Sequence, residues 1–179
     1  MRHLFGKFGQ KRQIITLSGL FLINLVMFNV PWFKGSLQSI TKNAPGSVIP
    51  DMMVSFDSMV VYDFLSAIGN QGRAAFQIMH ATIDVTFPLV YGLLFYNIHY
   101  RFARKLSRQT KWLPLLAILP TGLDIFENII LLFLTNQFPS YCQALATILP
   151  YLTVGKFMGF AINLGYIIIH WFNHYNKKQ

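Results

Sequence analysis

The chain is poor in charge, and above all in negative charge. Only 12% of its 179 residues are charged and only six are acidic, against roughly 25% charged in ordinary soluble domains. That scarcity, with 54% hydrophobic residues arranged in long blocks, argues against a water-soluble globular fold. Cysteine is nearly absent as well. The single Cys142 excludes an intrachain disulfide and a cysteine-built metal site, and reads as a small apolar residue. No HExxH-type metalloprotease signature is present. After the basic start and the first apolar run there is no small-x-small cleavage site, so an uncleaved first helix is expected rather than a signal peptide.

What is abundant is apolar and aromatic. The aromatic share is 16%, with seventeen Phe, which suits lipid-facing helices with interfacial anchors. A span needs about 20 mainly apolar residues, and four such stretches occur, at about 13–33, 74–100, 112–134 and 144–172. The expectation is an all-α polytopic membrane protein. Residues 1–179 form one membrane domain, a bundle of four transmembrane helices, with an outer loop over 34–73. Trp32, Tyr100, Trp112, Tyr141 and Trp171 mark the ends of the spans.

The net charge of +9 does not indicate nucleic-acid binding, because its distribution follows the positive-inside rule. Arg2, Lys7, Lys11 and Arg12 precede the first span, Arg101, Arg104, Lys105, Arg108 and Lys111 share one loop, and Lys177 and Lys178 end the chain. The 34–73 segment carries only Lys34, Lys42 and Arg73. Both termini are therefore expected in the cytoplasm, with the protein in the inner (plasma) membrane. In the 101–111 loop, Arg101, Arg104, Lys105 and Arg108 are candidates to hold anionic lipid head groups, at about 1 kcal/mol each.

The outer segment starts as irregular linker around Pro45, Gly46, Ser47 and Pro50. Ser55 or Asp57 then offers an N-cap, and Val60, Val61, Phe64, Leu65 and Ile68 share one face of a short amphipathic extracytoplasmic helix. Gly69 stops it, and Gly69-Asn70-Gln71-Gly72 is expected to turn tightly into the second span. Arg73 at that mouth either guides an anion or caps the interface.

Four ionisable residues fall inside the apolar stretches: Asp84, Asp124, Glu127 and Lys156. Each costs roughly 2.5–3.5 kcal/mol at the centre of an inserted helix, so four facing lipid would cost on the order of 10–14 kcal/mol. They should turn inward, toward one another. His80 lies one helical turn from Asp84, and Asn128 stacks with Asp124 and Glu127 on one stripe. Pro88, after Phe87, is expected to kink the second span. Pro120 frees the carbonyl of Leu116, which can join the polar lining.

Two chemistries suit this layer. Asp84, His80, Asp124 and Glu127, with Asn128, are ligands for a divalent metal such as Mg, Mn or Zn. Alternatively, packed carboxylates with Lys156 as counter-charge handle protons or ions. Three functional readings follow. The leading one is an integral membrane protein binding or moving an ion or small ligand. A metal-assisted enzyme acting on lipid or envelope substrate is the second, and a structural or assembly subunit, with Lys156 merely paired to Glu127 or Asp124, is the third. Gly155-xxx-Gly159 and Ala161-xxx-Gly165 allow close helix approach within the subunit or at a homo-oligomer seam. His170 and His174 form an i, i+4 pair beside Trp171 and Tyr175.

The motifs Gly69-Asn70-Gln71-Gly72-Arg73, Asp84-x-x-Phe87-Pro88-x-x-Tyr91, Leu113-Pro114-Leu115 and Asp124-x-x-Glu127-Asn128 lie within a region of about residues 51–165. Over that region the chain resembles an uncharacterised family of small bacterial four-helix integral membrane proteins. The resemblance implies a four-span inner-membrane fold and points at the same acidic residues. It implies no reaction, ligand or partner.

Overall fold

The computed structural model describes residues 9–53, 57–104 and 112–176, with side chains through Phe172. All regular elements among them are helical. The helices are α1 (Lys11–Met27), the short α2 (Leu37–Ile40), α3 (Ser58–Ala81), α4 (Ile83–Ala103), α5 (Ile118–Gln137) and α6 (Gln143–Asn176), with 3-10 turns at Thr41–Asn43, Pro50–Met52 and Leu113–Ala117. Among the described residues, three stretches are long and apolar enough to cross a membrane: Ser58–Ala103, Leu113–Gln137 and Gln143–Phe172. The helix at the expected first span, α1, has 17 residues, about 25 Å at 1.5 Å per residue.

Asp57 caps α3 by accepting from the backbone N–H of Met59 at 3.0 Å, as the sequence suggests; the alternative cap, Ser55, lies outside the described residues. Gly69 interrupts α3 with φ 66° and ψ −175°, a conformation open to glycine and closed to residues with a Cβ. The carbonyls freed by this break find side-chain donors. Arg73 Nη1 donates to Leu65 O at 2.7 Å and Asn43 Nδ2 to Ile68 O at 3.3 Å. Arg73 also bonds Asn70 Oδ1 and lies over the Phe138 ring, so it seals a helix end and does not reach outward. The expected tight turn through Gly72 is replaced by a break at Gly69 alone, because residues 70–72 are helical. Gly72 is needed for another reason: a Cβ there would stand 2.6 Å from the Ile40 carbonyl oxygen. Before the break, Val61, Phe64, Leu65 and Ile68 are buried against α2, Ile49 and the start of α6.

The second apolar stretch is not one helix. It breaks at Thr82 (φ −127°, ψ −90°), earlier in the chain than the kink expected at Pro88, which lies inside α4. Pro88 has no N–H for the Asp84 carbonyl, and the Asn128 side-chain amide donates there instead, at 2.5 Å. Pro120 behaves alike: the Leu116 carbonyl it frees accepts from Asn163 Nδ2 at 3.0 Å, as its position predicts.

Packing follows from these breaks. α6 lies along α5, and α1 leans on α4. α1 is held by the Thr86 hydroxyl donating to Asn24 Oδ1 at 2.7 Å and by the Phe21–Phe87 stack. Gly155 and Gly159 let α6 approach α5, since a Cβ at either would meet Leu123 or Pro120 at 3.0 Å. This small-residue pair serves the inside of the chain, whereas no atom of the described residues lies within 4 Å of a Cβ built on Gly165. Two apolar clusters result. One joins α3 to Ile83, Ile130, Leu131, Leu149 and Leu152; the other joins Tyr91, Phe95 and Ala117 to Phe87 and Phe160. Along α4, α5 and α6, the buried Asp84, Asp124, Glu127, Thr153 and Lys156 fall between the two.

Candidate functional site

Between those clusters the chain buries four of its six carboxylates: Asp51, Asp84, Asp124 and Glu127. Lys156 and His80 are buried with them. Three of the four acids are those expected from the sequence. Asp51 is the addition.

Lys156 reaches from α6 between the two acids of α5. Its Nζ is 2.5 Å from Glu127 Oε2 and 3.3 Å from Asp124 Oδ1. The remaining oxygens are also engaged. Tyr91 donates to Asp124 Oδ2 at 3.1 Å, and the Thr153 hydroxyl donates to Glu127 Oε1. Asp124 and Glu127 are three residues apart on one helix, and Lys156 emerges where Gly155 brings α6 close. The i, i+3 spacing thus becomes a clamp around one ammonium.

The second group forms at the Thr82 break. His80 is in the last turn of α3 and Asp84 in the first turn of α4, where helix ends favour a cation and an anion respectively. His80 Nδ1 is 2.6 Å from Asp84 Oδ2. The 3-10 turn Pro50–Met52 delivers Asp51 from the outer segment onto this pair, and one donor atom from each of Asp51, His80 and Asp84 lies within 4.8 Å of the others. Asp51 is 7% exposed. Burial raises its pKa above the ordinary 3.8, while Lys156 opposes that rise. Among the described residues Asp51 Oδ1, His80 Nε2 and Asn128 Oδ1 have no hydrogen-bond partner, unusual for buried polar atoms.

Both groups open on one cavity of about 300 Å³. Its polar lining includes Asp51, Asp84, Asp124 and Lys156, and its walls include Leu25 and Phe28 of the first helical segment and its C-terminal end, Phe87 and Tyr91 of α4, and Phe157 and Phe160 of α6. A tight Lys156 pair is what a structural role alone would give. Here the pair and a cavity occur together.

The other candidate residues lie apart. Arg101 is exposed, with Nη1 donating to the Gly9 carbonyl at 3.3 Å, and Asn97 accepts from the Gly9 N–H at 2.8 Å. Arg104 ends α4 and is exposed; Lys105, Arg108 and Lys111 lie outside the described residues, as does the side chain of His174. His170 packs against Tyr166 and Phe102. His99, which belongs to none of the motifs above, is buried, with Nε2 2.6 Å from Asn163 Oδ1.

Sequence reasoning misses Asp51 because it sits in the stretch read as linker. The available signal is a lone acid within Val-Ile-Pro-Asp-Met-Met-Val, where no other polar side chain shares the run. Thr153 and Tyr91 as partners of the acids are legible only from three-dimensional proximity. Compared with known proteins, the chain matches no family model, no curated protein and no solved structure.

Proposed function

We propose that this chain is a four-span inner-membrane protein, with both termini in the cytoplasm, that binds a small cation in its internal cavity and moves or senses it. Charge balance in the cavity carries the reading. Four buried carboxylates face one lysine and one histidine, so neutrality in a low-dielectric interior requires bound protons or a further cation. Asp124 and Glu127 are occupied by Lys156, which leaves Asp51 and Asp84 to meet the guest. With 17 residues, α1 stands at the short end of the spanning range, and its docking on α4 through Asn24 and Phe21 makes it the fourth wall. The 58–68 helix and the Pro50–Met52 turn would cover the outer mouth, and Arg104 with Lys105 and Arg108 would meet anionic lipid on the cytoplasmic side.

The test is a thermal-shift titration of purified full-length protein in detergent, with potassium, tetramethylammonium and divalent cations. A ligand at a hundredfold over its Kd stabilises by about 2.7 kcal/mol. At least one cation should give a saturable shift that Asp84→Asn abolishes while helicity by circular dichroism persists. A wild-type protein indifferent to every cation, or a shift untouched by Asp84→Asn, refutes the proposal.

A second reading, a metal-assisted enzyme acting on lipid, draws on one feature. α1 packs along α4 and makes no extensive contact with α6, so Leu25, Phe28, Phe157 and Phe160 separate the cavity from the bilayer side. Turnover of phospholipid by wild-type protein, abolished in Asp124→Asn, would favour it.

A further inference from the structure

We infer that Asp51, His80 and Asp84 form a site for one divalent first-row metal ion, of the Mn²⁺ or Zn²⁺ class, that pins the outer segment over the cavity. The inference rests on the cation reading above and names its ligand. It also moves the metal away from Asp124 and Glu127, whose oxygens are held by Lys156, Tyr91 and Thr153.

Three independent observations converge. The donor atoms of the three residues lie within 4.8 Å of one another. Two ligands at about 2.0–2.2 Å from one ion stand roughly 3.3–3.6 Å apart in a tetrahedral set, so the three side chains complete it by drawing in by at most about 1.5 Å. The histidine is free to ligate: Asp84 Oδ2 stands 2.6 Å from its Nδ1, yet neither atom makes a hydrogen bond among the described residues, so both can turn to one shared ion. Finally, His80 Nε2 and Asp51 Oδ1 are buried in residues more than nine-tenths covered and have no partner among the described residues. One imidazole with two carboxylates suits Mn²⁺ or Zn²⁺ better than copper, which prefers softer or nitrogen-rich sets.

Asp51 belongs to the segment between α1 and α3, whereas His80 and Asp84 flank the Thr82 break. A metal shared by all three ties that segment to both half-helices. Its binding would therefore close the cavity from outside.

The experiment titrates chelator-stripped full-length protein in detergent with MnCl₂, following the six-line signal of free Mn²⁺ by electron paramagnetic resonance, with ZnCl₂ as competitor. One Mn²⁺ per chain is expected, displaced by Zn²⁺. Asp51→Asn and His80→Gln should each weaken binding at least tenfold, whereas Asp57→Asn, which removes an exposed carboxylate outside the cluster, should leave it unchanged. Pulsed resonance of the wild-type complex should show one directly bound ¹⁴N, a readout that needs no variant to fold. Absence of Mn²⁺ binding, absence of nitrogen, or unchanged affinity in folded Asp51→Asn overturns the site. If tetramethylammonium or potassium still stabilises the same sample while Mn²⁺ does not, the metal site fails and the cation cavity stands. If no cation binds, both fall.

Discussion

Replacing Lys156 with methionine keeps a long unbranched side chain and removes its charge, leaving Asp124 and Glu127 buried without their counter-charge. At an effective dielectric constant of 20, a charge pair at the 2.5 Å and 3.3 Å separations found here attracts by about 7 and about 5 kcal/mol. Desolvation of all three groups offsets most of that attraction in the wild type. Removing one partner is different, because the carboxylates stay buried without compensation, at about 3–5 kcal/mol. Lys156→Met should therefore lower unfolding free energy by that amount at neutral pH, read by reversible denaturation in mixed micelles. Adding Glu127→Gln removes the nearer orphaned charge, and the Thr153 hydroxyl can still donate to the amide oxygen. The double variant should recover roughly 0.5–3 kcal/mol, the range expected for directly contacting groups. Two results refute the reasoning. One is Lys156→Met within about 0.5 kcal/mol of wild type, the scatter of an uninvolved surface substitution. The other is a Glu127→Gln cost as large in the Lys156→Met background as in the wild type.

Further expectations follow from single contacts. Asn128→Ala strips the Asp84 carbonyl of its donor at a cost of about 1–3 kcal/mol. In a Pro88→Ala background, where residue 88 regains an N–H for that carbonyl, the cost should fall by at least half in the same denaturation assay. Burial raises the Asp51 pKa above 3.8, and the groups facing it are His80, Asp84 and Lys156. A carboxyl raised in the folded state contributes most below its unfolded pKa and loses that contribution as pH rises through the folded value. Melting curves of the cation-free protein should therefore show Asp51→Asn gaining on wild type as pH rises, while cation affinity weakens as pH falls, by up to about tenfold per unit for one displaced proton. Gly159→Leu should push α6 off Pro120 and destabilise by about 1–3 kcal/mol, checked by thermal melting. In a Cys142→Ser background, a cysteine replacing Ser47 should react with a membrane-impermeant thiol reagent in intact cells, and one replacing Arg104 should not.

Local chemistry along the chain is enough to say which stretches are helical and apolar and which charged groups must turn away from lipid. Those are properties of single segments: hydropathy adds residue by residue, and a charge in hydrocarbon is expensive whatever its neighbours. Hence Asp84, Asp124, Glu127 and Lys156 were legible, as were the i, i+4 pairing of His80 with Asp84 and the Leu116 carbonyl freed by Pro120. Boundaries were less so. The sequence places a kink at Pro88, yet Asn128, from another helix, satisfies the carbonyl stranded there, and the helix breaks at Thr82 instead.

Long-range packing is what takes Asp51 out of its loop and in among the buried acids, completes the Lys156 clamp with Tyr91 and Thr153, and leaves a cavity beside it. Each depends on surfaces distant in sequence meeting, such as the Pro50–Met52 turn against the α3–α4 junction. Burial of a loop carboxylate carries no periodic mark along the chain. It arises when the Pro50–Met52 turn packs against α3 and α6, both distant from it in sequence.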